Sequence, residues 1–138
     1  MNDRPNLSDL IDAARGHLES QVIPAIKGDA KLYFQTLVAI NVLKIAEREI
    51  ALRPTHVRTE WARINALDAT EDALPFAFND AEHALAAKIT AMCSKIRAGA
   101  YDDESRRRAL FGHLTQTARE SLEISNPKLL QTLDEENG

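Results

Sequence analysis

The stretch DAKLYFQTLVAINVLKIAEREIALR, Asp29–Arg53, decides the fold. Asp29 is a good N-cap, the interior holds no Gly or Pro, and Pro54 follows directly. At 100° per residue, Thr36, Lys44, Glu47 and Arg48 share one side. Leu32, Phe34, Val38, Ala39, Val42, Leu43, Ile45, Ile50 and Leu52 cover most of the remainder. A helix apolar over more than half its circumference needs neighbours on two sides, which makes this the expected central helix of an all-α protein.

Working outward, the chain keeps helical spacing nearly throughout. Upstream, Ser8 is an expected N-cap, and Leu7, Leu10, Ile11, Ala14, Leu18 and Val22 form one stripe on a helix that Pro24 should end or kink, with Gly28 then breaking the chain. Downstream, Pro54-Thr55 is expected to open a third helix carrying Val57, Trp61, Ile64 and Leu67. Residues 68–78, with Pro75, form the longest expected irregular connection. A fourth helix is predicted from Asn79, with Glu82 as its capping-box partner, a stripe of Leu85, Ile89, Met92, Cys93 and Ile96, and Gly99 just past its end. Asp102 is the expected cap of a fifth helix with Leu110, Phe111, Leu114, Ala118 and Leu122 on its apolar side. Asn126-Pro127 reads as cap and first residue of a short last helix. The expectation is therefore an antiparallel bundle of about five main helices plus a short C-terminal one, a single domain over 1–133 with an acidic tail at 134–138.

Composition narrows the function classes. The 138 residues carry 17 basic and 21 acidic side chains, a net charge of −4, which makes nucleic acid a poor partner. A lone cysteine, Cys93, excludes an internal disulfide framework and fits a reducing compartment. The opening Met1-Asn2-Asp3-Arg4-Pro5 lacks the basic-then-apolar order of a signal peptide, and no apolar run approaches a membrane span. A cytoplasmic protein without membrane attachment is expected.

Several phrases resemble an uncharacterised bacterial family of small helical proteins, the domain of unknown function 6285. They are Arg4-Pro5 with the helix after it, Ala39-Ile40-Asn41-Val42-Leu43 with Arg48-Glu49, the run from Met92 through Lys95 and Gly99 to Asp102, and Ile124-Ser125-Asn126-Pro127-Lys128. Residues 58–79 match the pattern least. Members of that family tend to be encoded near acyl-CoA dehydrogenases and aminoglycoside-phosphotransferase-like kinases. The resemblance implies an accessory of acyl-CoA or hydroxy-acid catabolism, with one of those enzymes as partner, and it assigns no catalytic residue.

The residues themselves supply no catalytic constellation. No Glu has a His three positions on, and His-Glu-x-x-His is absent, so His17, His56, His83 and His113 carry no metal motif and no cofactor is expected. Cys93 lies on an apolar stripe, where burial makes a thiol inert. Arg106-Arg107-Arg108 follows Asp102-Asp103-Glu104 at i, i+4 spacing, the favourable order for self-paired helix charges rather than an anion site. Lys128 at the start of the last helix reads as a surface lysine.

Two readings of function remain. A non-enzymatic interaction module would present an apolar patch, expected at Tyr33, Trp61, Pro75, Phe76 and Phe78. Alternatively, Asn41 and Arg48, which project about 20° apart on the central helix, would line an inter-helix anion pocket of a ligand-binding protein or enzyme. The apolar excess of the central helix also favours self-association into a homo-oligomer.

Overall fold

The computed structural model describes residues 4–138, so the first three residues of the opening stretch lie outside it. The described chain is helical and without strands: α1 Leu7–His17, a π-helical turn Leu18–Val22, α2 Ile23–Ala25, α3 Ala30–Asp68, α4 Phe78–Arg97, α5 Glu104–Ser125 and α6 Pro127–Asn137. The all-α expectation holds. No described helix is long and apolar enough to cross a membrane. The chain divides into two compact units, Met1–Leu52 and Arg53–Gly138.

The largest correction concerns Pro54. Two helices were expected on either side of it, yet α3 runs unbroken for 39 residues with Pro54 inside. Proline lacks the N–H for one helical bond and crowds the carbonyl four residues back, at about 3 kcal/mol. Burial of Val57, Trp61 and Ile64 immediately after it offsets that cost.

In the first unit, α1 begins two residues earlier than expected. Asn6, not Ser8, is the cap, in a reciprocal box in which its side chain accepts from the Asp9 amide and Asp9 accepts from the Asn6 amide. Pro24 does not stop the helical path, which passes through the π turn into α2. Asp29 caps α3 as expected, accepting from the Leu32 amide at 2.9 Å.

The second unit holds the hydrophobic core: Val57, Trp61 and Ile64 of α3, Ala81, Leu85 and Met92 of α4, Tyr101, and Leu110 of α5. The connection after α3 is pinned to this core. Trp61 Nε1 donates to the Asp72 carbonyl at 2.8 Å, and Lys88 stands 4.3 Å over the indole ring. Asp68 accepts from the Tyr101 hydroxyl at 2.6 Å and from Lys95 at 2.7 Å. Gly99, at φ +80°, ends α4 with both bonds of a Schellman turn, Gly99 to the Ile96 carbonyl and Ala100 to the Lys95 carbonyl. Ala69 takes the same left-handed conformation after α3, at φ +53°, where glycine would be free of strain.

Caps in this unit shift by a residue or so. α4 starts at Phe78 without a side-chain cap, because Ala77 stands at the N-cap and its side chain has no acceptor, and Glu82 pairs with Arg53 at 3.0 Å. Asp103, not Asp102, caps α5. Asn126 and Pro127 open α6 as expected, and α6 continues through the acidic residues, with Asp134 paired to Arg119 at 2.8 Å.

Candidate functional site

The central helix departs in part from the sequence expectation: Leu43, Ile45, Ile50 and Leu52 are half-buried, but Leu32, Phe34, Val38 and Val42 are exposed. Within the first unit, the side of α3 that is packed carries Thr36, Ile40 and Glu47, and the link to α1 is ionic: Arg15 Nε donates to both Glu47 oxygens at 3.0 and 3.1 Å. Lys44 adds a pair to Glu19 at 3.3 Å. The Glu47 carboxylate raises the Arg15 pKa above its ordinary value. Glu47 is thus engaged by α1 and Lys44 by the π turn that follows it, while the Thr36 hydroxyl donates to the Leu32 carbonyl of its own helix at 2.8 Å. The apolar side is left bare, with Phe34 65% exposed, Val42 56%, and Leu37 and Val38 exposed beside them. One α1 can cover one side of a helix whose apolar residues occupy more than half the circumference, so the other side stays open.

A polar seam also joins α3 to α5 in the second unit. The expected stripe of α5 is rotated: Leu110, His113, Glu120 and Ile124 are buried, while Phe111 is 63% exposed and Leu114 is exposed as well. Arg63 grips Glu120 bidentately at 2.7 and 2.8 Å and donates to the Thr117 hydroxyl at 3.2 Å. Thr59 donates to Glu120 at 3.3 Å, and His56 Nε2 lies 3.1 Å from Glu123. Burial tends to raise the Glu120 pKa, but its hydrogen bonds and the Arg63 charge outweigh this and hold it below the ordinary value. Burial pushes Glu60 up despite Arg53 and Arg63. His113 is driven down by burial and by Arg63. A 3.6-residue count of apolar types could not find this seam, because its members are charged; the signal available was the spacing His113, Thr117, Glu120 against Thr59, Arg63.

The sequence-predicted residues fall in different places. Asn41 is exposed, on the bare side of α3, rather than sealed in a core. Arg48 is half-buried beside a depression lined by Ser8, Asp9, Asp12, Glu47, Ala51 and Leu52. Asn41 does not line that depression, and the Asp9, Asp12 and Glu47 carboxylates oppose an anion there. Of the expected patch, Trp61 is buried in the core, held by its bond to Asp72, and presents no surface. Phe76 is fully exposed, Phe78 partly so, Pro75 and Tyr33 half-buried. Tyr33 belongs to the first unit and the others to the second. Cys93 is half-buried. Of the expected Asp/Glu-to-Arg pairs opening α5, Glu104–Arg108 forms at 2.9 Å, whereas Arg107 turns to the Asp102 carbonyl and Arg106 to Asp103. Among the described residues no cluster of three metal-capable side chains comes together.

A family model matches residues 24–129, from α2 to the opening of α6. The chain belongs to the domain of unknown function family DUF6285. The matched span takes in the whole of α3, with both its bare apolar side and its polar seam, and leaves α1 outside. No curated protein and no solved structure matches this DUF6285 chain.

Proposed function

We propose that this DUF6285 protein is a non-enzymatic accessory module that works by binding another protein through the bare side of α3. The observation that carries the reading is the row Phe34, Leu37, Val38 and Val42, consecutive at helical spacing and solvent-exposed on one helix face. A row of this kind left in water is disfavoured in a monomer, and contiguous exposed apolar surface marks interaction sites. A helix face anchored at i, i+4 and i+8 suits a hydrophobic groove or a second helix on the partner. The gene setting implied by the family resemblance makes an acyl-CoA dehydrogenase or an aminoglycoside-phosphotransferase-like kinase the partner to try first. Service to acyl-CoA or hydroxy-acid catabolism follows from that setting alone.

The test is co-purification of the chain with each of the two neighbouring enzymes, with the complex mass measured by light scattering. A stable complex that is lost on Val38→Glu and Phe34→Asp, in variants that keep full helicity, supports the reading. Unchanged complex formation by both variants would falsify it. A second copy of the chain is the competing occupant of the same face. A dimer mass for the isolated protein that the same substitutions return to monomer would assign the face to self-association.

A further inference from the structure

A cavity of about 320 Å³ lies in the second unit, walled by Ala66, Leu67, Ala109 and the Tyr101 ring, with Arg63 and His113 in its lining and Ser105 and Arg106 also on it. That is the lower end of the size range of small-ligand sites. Three buried polar atoms here have no hydrogen-bond partner: Nδ1 and Nε2 of His113 and Nε of Arg63. His113 is only 4% exposed. Buried polar groups without partners are rare in folded proteins, and three on two adjacent side chains of one cavity wall call for an explanation. The remaining Arg63 nitrogens are fully engaged by Glu120 and Thr117, so the guanidinium is fixed with Nε left over. The histidine has no such anchor, and its ring torsion is broad enough to bring either nitrogen toward the cavity.

We propose that this cavity is a binding site for a small uncharged molecule with a short apolar body and an alcohol or primary amide head, which meets the His113 ring beside Arg63. This inference stands apart from the α3 docking face and needs none of its residues.

The chemistry of the orphaned atoms selects the head group. Arg63 Nε can only donate. A neutral imidazole offers one donor and one acceptor, and burial beside Arg63 keeps His113 neutral. An alcohol or amide both accepts and donates, so it satisfies the site in either tautomer. A carboxylate only accepts, leaves the bare imidazole nitrogen unpaired, and would stand near the Glu120 carboxylate that already neutralises Arg63. The Tyr101 hydroxyl is committed to Asp68, so its ring contributes apolar surface alone.

The experiment is an NMR titration of the full chain, with His113 ring resonances followed as butyramide, 1-butanol and sodium butyrate are added separately. Saturable movement of those resonances by butyramide or butanol, at least several-fold tighter than by butyrate, is the expected result. Ala109→Phe, which fills the cavity, and His113→Phe, which keeps the ring shape without nitrogens, are each expected to weaken binding at least tenfold, read for the latter from backbone amides lining the cavity. Absence of saturable shifts with both neutral probes overturns the proposal, as does tighter binding of butyrate. Retention of binding by Ala109→Phe would place the probes elsewhere, and retention by His113→Phe would remove the polar head from the argument; either result refutes it.

Discussion

The two units of this chain bury different things. In Arg53–Gly138, Val57, Trp61, Ile64, Leu85, Met92 and Leu110 close into a core, and a charged seam runs beside it. Among the described residues of Met1–Leu52 only Thr36 and Ile40 are buried, the helices are tied by Arg15–Glu47, and Phe34, Val38 and Val42 face water. Burial of apolar side chains supplies the main favourable term in folding, whereas an ion pair of this kind adds specificity more than stability. The second unit therefore carries most of the apolar burial of the fold, and the first leaves a row of apolar side chains in water.

The sharpest way to break that contrast is to truncate one apolar residue in each unit. Ile64 is fully buried, and Ile64→Ala is expected to cost about 3–5 kcal/mol in denaturant unfolding. Val38→Ala should cost no more than about 0.5 kcal/mol in the isolated chain. Similar losses at the two sites would mean that the bare side of α3 is covered in solution. Next in size is the seam. Glu120→Ala leaves the half-buried Arg63 without its partner and is expected to destabilise by about 2 kcal/mol, while an Arg63→Met, Glu120→Leu double variant should recover most of that loss. Failure of the double variant to recover would assign the seam a larger stabilising role than its geometry implies.

His113 has the opposite sign. Replacing an unsatisfied buried imidazole by a phenyl ring is expected to stabilise by about 1–2 kcal/mol. Unfolded, His113 titrates near its ordinary value of 6.5; folded, it titrates lower because burial and Arg63 oppose its charge. Between those values the unfolded chain binds more protons, so stability is full above about pH 6.5 and declines as pH falls through that window. His113→Phe should abolish this decline, whereas the losses from Asp68 and Glu120, both held below their ordinary 3.8 and 4.5, set in at lower pH and persist. A profile between pH 6.5 and 5 that is identical in wild type and variant would count against a neutral buried imidazole. A smaller effect is expected at Ala69, where Ala69→Gly relieves a left-handed alanine and should raise stability by about 0.5–1 kcal/mol; a loss there would mean that the Ala69 methyl packs.

The sequence alone determined the helices and much of their punctuation. Asp29 and Asn126 cap, Gly99 terminates, and Leu85, Met92 and Leu110 are buried, because caps and apolar spacing are local properties of neighbouring residues. It also determined that the central helix has more apolar circumference than one neighbour can cover. Which side stays bare was decided by tertiary structure. Glu47 looks outward on a wheel, but Arg15, 32 residues away, draws it toward α1. The same holds for α5, where Arg63 and Glu120, 57 residues apart, bury a charged face and push Phe111 and Leu114 out. Pro54 is another case, since local sterics argue for a break and the burial of Val57 through Ile64 overrides them. Charge pairing between distant segments leaves no period in a sequence, so the polar seams, the bare apolar side and the cavity at His113 became visible only once the helices were packed.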